Sequence, residues 1–260
     1  MADVLDSVKA NMSDRADLPG MSLMEHLNEL RKRLINSVAA LFVGFGLAYC
    51  FHNHLVAFIQ RPLTDVGLNM TMTHPTDALD LFIKTSLVVG AIAASPVILF
   101  QLWLFIAPGL YPHEKKHVFP FMTATVGLFL AGAWFGYRWV LPGAMNILIL
   151  QFGKNFNHMI AVEEYIGFFL AVILGLGITF EMPVLIFFLA LFGIVDARFL
   201  LRHYQYAVLI IFLIAAIICP LPDAVSMTLF ASPMLLLYFA GVVIAYFVHP
   251  SKRKPKEAIS

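Results

Sequence analysis

Between Leu34 and Val248 the chain alternates long uncharged apolar stretches with short loops that carry nearly all of the charge. The stretches fall near residues 34–51, 83–107, 118–141, 165–193, 204–219 and 224–248. A hydrocarbon core ~30 Å thick is crossed by roughly 20 helical residues rising ~1.5 Å each, and several of these runs meet or approach that length. Lipid offers no partner to an exposed backbone N–H, so the runs must be helices. The pattern predicts an all-α polytopic membrane protein with six transmembrane helices. Pro96, Pro183 and Pro233 fall inside the second, fourth and sixth runs, and each removes a backbone donor and favours a kink. Residues 204–219 reach only ~24 Å as a helix, and the turn Pro220-Leu221-Pro222-Asp223 joins them to the last run.

The first run is preceded by an amphipathic segment. Ser22 and Glu25 have the spacing of a capping box, and Leu23, Leu27, Leu30 and Leu34 recur at helical intervals. This predicts a helix lying on the membrane surface with one apolar stripe, its polar face carrying Glu25, Asn28, Glu29, Lys32 and Arg33. Glu29 precedes Arg33 by one turn, so the plain reading of Glu29 is a surface ion pair worth a few tenths of a kcal/mol. Between the first two runs, His52 to Asp80 holds a short apolar piece at Leu55–Ile59, then Pro62 as a breaker, then polar residues; loops of this length are seldom idle, and this one is expected to form a structured cap.

Charge orients the picture. An even number of spans puts both termini on one side, and of the 17 lysines and arginines only Arg61, Lys84, Arg138 and Lys154 fall on the other. Cytoplasmic loops retain Lys and Arg, so both termini are expected to be cytoplasmic. Tyr49, Trp103, Tyr137, Trp139, Tyr165, Tyr204 and Tyr246 lie near span ends as interfacial anchors do. The expected organisation is a polar leader at 1–20, a membrane domain at 21–249 and a basic tail at 250–260. No apolar segment follows a basic start before Leu34, so the first span is expected to act as its own insertion signal. Hydrophobic residues make up 60% of the chain and charged ones 13%, against roughly 25% charged in a soluble domain. A net charge of +1 gives no basic bias towards nucleic acid. Cys50 and Cys219 are too few for a disulfide scaffold or a cysteine metal cage and read as buried apolar thiols.

Three carboxylates stand out. His113-Glu114-Lys115-Lys116-His117 matches H-E-x-x-H, which on a regular helix sets two imidazoles over one zinc. Pro120 disturbs the turn that such a site needs, and no third ligand is evident, so no metal or other cofactor is expected. Glu181, in Phe180-Glu181-Met182-Pro183, lies near the middle of the fourth run, where a charge costs at least ~2.5 kcal/mol. It must therefore face a polar cavity, stay protonated or find a partner. The plain alternative is a protonated acid bonded to a neighbouring helix. Glu29 is the third.

Taken together, His26-Leu27-Asn28-Glu29-Leu30-Arg31-Lys32-Arg33-Leu34, the run from Pro96 to Glu114 with its Q-x-W-x-F-x-x-P-G-L-Y, then Phe180-Glu181-x-Pro183 and Pro222-Asp223 occur in an order that resembles the C subunit of the twin-arginine protein translocase, the TatC family. The resemblance covers nearly the whole chain. It implies a non-enzymatic receptor in the bacterial cytoplasmic (inner) membrane that binds signal peptides of folded export substrates, draws on the proton motive force, and assembles with TatB-like and TatA-like single-span subunits and further copies of itself. It also implies that Glu29 and Glu114 receive the paired arginines with Arg31 and Phe105 beside them, and that Pro62, Glu181 and Asp223 occupy positions important to the working complex. Paired carboxylates suit such a ligand, since two guanidiniums are best held by forked, charge-assisted hydrogen bonds that lysine does not reproduce. No nucleotide loop and no G-x-S-x-G elbow is present. Two rivals stay open: a secondary transporter, which should show inverted repeats that are not evident here, and an intramembrane zinc protease resting on H-E-x-x-H alone.

Overall fold

The structure, a computed structural model, describes residues 23–106, 118–153, 159–191, 193–219 and 224–248. Helix α1 spans Leu23–Cys50, α2 His52–Thr64, and α3 Asp77–Ile106, with a two-residue strand β1 at Met70–Thr71 between the last two. Val118–Phe135 continues through a π-helical turn at Gly136–Val140, through Leu141–Met145 and through a second π-helical turn at Asn146–Phe152; together they form one rod, α4. Strand β2 is Ile160–Ala161, followed by α5 at Val162–Thr179, α6 at Met182–Leu191, the short α7 at Ala197–Arg202, α8 at Tyr204–Ile218 and α9 at Ala224–Val248. Among the described residues α1, α3, the α5–α6 pair and α9 are each long and apolar enough to cross a membrane. The rod α4 and the 15-residue α8 supply the other two apolar runs.

The core forms where α5 passes between its neighbours: Ile166, Val172 and Leu176 of α5 are buried with Leu141 of α4, Ile211 of α8 and Phe230 of α9. The outer surface is apolar as well. Phe42 on α1, Leu213 and Ile217 on α8 and Phe247 on α9 are all more than half exposed. Water would penalise such a continuous belt, whereas lipid satisfies it.

Three expectations change. The amphipathic segment is not a separate surface helix but the first turns of α1. Its polar face is also not solvated throughout, because Glu29 and Arg33 are half-buried and turned towards α3, while Leu27, Leu30 and Leu34 are left exposed to lipid. Of the two cysteines, Cys219 is buried but Cys50 is exposed, since α1 meets the rest of the protein along one face only.

That face is set by two glycines. A Cβ on Gly44 of α1 would collide with the Gly90 carbonyl of α3, and one on Gly90 would come within 2.5 Å of the Phe45 nitrogen. The backbones therefore touch, as small residues allow where apolar burial gives helices no advantage over lipid.

The predicted cap exists, and Pro62 does not break it. Pro62 lies inside α2 and is buried. Lacking an N–H, it leaves the Phe58 carbonyl without its helical donor, and the Tyr137 hydroxyl of α4 donates to that oxygen at 3.1 Å. One residue on, the buried Tyr165 hydroxyl of α5 donates to the Ile59 carbonyl at 2.8 Å. Strands β1 and β2 add a parallel pairing of Met70 with Ile160 and Thr71 with Ala161. Asp77, 3% exposed, accepts from the Thr73 and His74 nitrogens at 2.7 and 2.9 Å, so the turn before α3 folds back onto the helix start. We expect Tyr137→Phe to lower stability by about 0.5–1.5 kcal/mol in thermal unfolding, and by less when Pro62→Ala has restored the missing N–H. Equal losses in the two backgrounds would separate the tyrosine from the proline.

Candidate functional site

Two acidic centres lie on the described helices. The first is the corner where the start of α1 meets the end of α3. On α1, His26, Glu29 and Arg33 follow at spacings of three and four and so share one face. On α3 the Q-x-W-x-F pattern resolves in three dimensions: Gln101 and Phe105, one turn apart, face α1, while Trp103 points the other way. Arg33 donates through Nη1 to the Gln101 Oε1 and through Nη2 to the Glu29 Oε1, each at 3.2 Å. His26 stacks on Phe105 with ring centroids 4.6 Å apart. The expected ion pair of Glu29 is therefore present but not on the open surface, the Glu29 and Arg33 side chains being 15% and 23% exposed. The other carboxylate oxygen of Glu29, Oε2, is buried and has no hydrogen-bond partner among the described residues.

Arg31 is exposed, and two residues along a helix it leaves on a different face from Glu29. Phe105 stacks on His26, which lies one turn before Glu29 on the same face of α1. Glu114, like the rest of the H-E-x-x-H segment, lies outside the described residues, as does Asp223. Gln101 and His26 were not picked out from the sequence. Their signal was available, since both occur within the quoted motifs at helical spacing from residues that were.

The second centre is Glu181. Helix α5 ends at Thr179, Phe180 and Glu181 form a turn, and α6 starts at Met182 with Pro183 in its first turn. The break is stitched by Phe180 N to Leu176 O at 2.9 Å and Leu185 N to Glu181 O at 2.9 Å, and the Thr179 hydroxyl bonds back to Gly175 O at 2.7 Å. Glu181 borders a cleft of about 300 Å³ between α3, α4 and α6, whose walls include Leu99, Leu102, Trp103, Val184 and Phe188. Of the three alternatives, a polar cavity, a protonated acid or a partner, the described walls do not favour the first: the Trp103 Nε1 donates to the Thr125 hydroxyl at 3.1 Å, so the polar groups of the wall engage each other. One Glu181 oxygen, Oε1, is buried with no partner among the described residues. An unsatisfied carboxyl facing apolar walls is costly, and it favours any polar group that a further helix brings.

Zinc remains a matter of chemical analysis. We expect elemental analysis of the purified protein to find no stoichiometric zinc; one zinc per chain would revive the protease reading.

Comparison with known proteins then gives a consistent answer. The family model described as "Sec-independent protein translocase protein (TatC)" matches residues 25–233. A protein of that name from Koribacter versatilis is 44% identical over 97% of this chain and 95% of its own length. One from Aquifex aeolicus is 37% identical over 92% of this chain and 100% of its own. Among solved structures, a crystal structure of the twin arginine translocase receptor TatC in DDM is similar with a TM-score of 0.78 and 38% identity, covering 85% of this chain and 99% of that one.

Proposed function

Because the chain belongs to the TatC family, whose model matches it over residues 25–233, we propose that it is the signal-peptide receptor and core subunit of a twin-arginine translocase. It is a membrane protein and a transport component rather than a catalyst; folded proteins cross the cytoplasmic membrane with the proton motive force as the energy source. Both termini face the cytoplasm, the side that retains the basic segments, and single-span TatA-like and TatB-like subunits complete the assembly.

The observation that carries this reading is the Glu29 carboxylate. One of its oxygens is held by Arg33 and the other is buried and, among the described residues, unpartnered, on a corner stiffened by the His26–Phe105 stack. A buried carboxylate oxygen without a donor gains most from a charged donor. In this reading Glu29 takes one guanidinium of the ligand and Glu114 the other, Phe105 lends an apolar wall, and Arg31 contributes from the exposed side of α1. Pro62 acts by shaping the cap, Glu181 by meeting a polar group inside the membrane, and Asp223 at the α8–α9 connection.

The test is binding of a synthetic signal peptide bearing adjacent arginines, compared with the same peptide bearing adjacent lysines, to purified protein in detergent or nanodiscs. Lysine is a compact charge without the planar fork, so the arginine peptide should bind at least about tenfold more tightly. Equal affinities would remove the receptor assignment.

A further inference from the structure

A second cleft, of about 230 Å³, lies at the cap end of the bundle, remote from both acidic centres. Its walls are apolar and come from four elements: Phe58 of α2, Val89 and Ile92 of α3, Leu130 and Trp134 of α4, and Ile173 of α5. A flexible hydrocarbon chain fits it. Leu130 and Trp134 are 40% and 57% exposed, so the cleft opens sideways towards lipid rather than towards water.

Two arginines neighbour its walls along their helices. Phe58 is stacked on Tyr137 with ring centroids 4.2 Å apart, and this pair roofs the cleft at the cap. Arg61 follows Phe58 by three residues on α2, and Arg138 follows Trp134 by four on α4, each a helical neighbour of a wall residue on the cap side. Both are exposed, and among the described residues neither forms an ion pair, although Asp65 is only one turn beyond Arg61. They are also two of only four basic residues on this side of the chain's charge pattern. An apolar slot open to the bilayer beside two unpaired guanidiniums is complementary to one molecule in particular. Guanidinium is the side chain that best matches a phosphate, and it does so by forked hydrogen bonds.

We propose that this cleft is a specific site for an anionic phospholipid, one acyl chain lying between α3, α4 and α5 and the phosphate held by Arg61 and Arg138. The lipid would fill a space that protein side chains leave empty and would tie the cap helix α2 to the rod α4 through its headgroup. The inference is independent of the receptor reading.

Native mass spectrometry of the full-length protein, exchanged into micelles with either phosphatidylglycerol or phosphatidylcholine, tests it. One phosphatidylglycerol should persist per chain at activation energies that strip phosphatidylcholine, whose choline is repelled by the guanidiniums. Arg61→Gln with Arg138→Gln should reduce that retention about tenfold, on the scale of charge-assisted contacts. Leu130→Trp, which fills the slot from its lipid side, should reduce it with both arginines intact. Soluble glycerophosphoglycerol should fail to displace the lipid, because the slot holds the chain. Thermal unfolding confirms that each variant is folded. Equal retention of the two lipids, parental retention by either variant, or displacement by the soluble headgroup would each overturn the site.

Discussion

Glu29→Ala should weaken binding of a paired-arginine peptide by about ten- to a hundredfold, corresponding to roughly 1.5–3 kcal/mol for a hydrogen bond to a charged group. The geometry separates this from mere damage to the corner. Arg33 holds Glu29 and Gln101 together but offers nothing to a cationic ligand. If Glu29 serves only to position Arg33, then Arg33→Gln and Glu29→Ala will cost the same; if its free oxygen binds the ligand, Glu29→Ala will cost distinctly more. Glu114→Ala should have an effect of similar size. The double variant should lose less than the sum, because residues that grip one ligand unit couple. Isothermal titration with the arginine and lysine peptides gives all four corners of the cycle. Unchanged affinity after both carboxylates are removed would show that the ligand is bound elsewhere.

The second large effect is expected at Glu181. Its buried oxygen lacks a partner among the described residues, and the walls around it are mostly apolar. If what matters is a polar group meeting another within the membrane, Glu181→Gln should keep much of the export activity, while Glu181→Leu and Glu181→Ala should lose most of it. Peptide binding should be nearly unchanged in all three, since the first acidic centre is built by other residues. Export of a folded substrate into membrane vesicles, measured beside peptide affinity, separates the two. Parental export by Glu181→Leu would mean that no polar group is needed there.

How these features could be read beforehand depended on the physics each one uses. The six apolar runs were legible because a bilayer imposes length and composition directly on sequence, and Glu181 was legible because an acid inside such a run is costly. The corner was half legible. Glu29 to Arg33 is a local spacing and showed as an ion pair, but its burial depends on the Gly44–Gly90 contact that draws α1 against α3, and no local pattern predicts which glycines meet. The half-burial of Glu29 and Arg33 follows from the same cause: the polar face of this segment was read as solvated, whereas lipid solvates the leucines and leaves part of the polar face to be packed. Pro62 was read as a breaker because a proline removes a donor, and the tyrosine that makes good the loss comes from residue 137, far along the chain. The π-helical turns of α4 had no signature that periodicity could reveal.

The glycine contact between α1 and α3 also bears on how the protein is made. Every described residue of the Glu29 corner belongs to these two helices, and Glu114 follows α3 directly in sequence. The ribosome therefore completes the segment for recognition before the third span is synthesised. The two helices leave the ribosome one after the other, so we expect this pair to dock in the bilayer while the Glu181 half is still being translated. Gly90→Leu should leave the later spans able to assemble around α5, yet yield a chain whose first two helices were never joined at the moment of insertion.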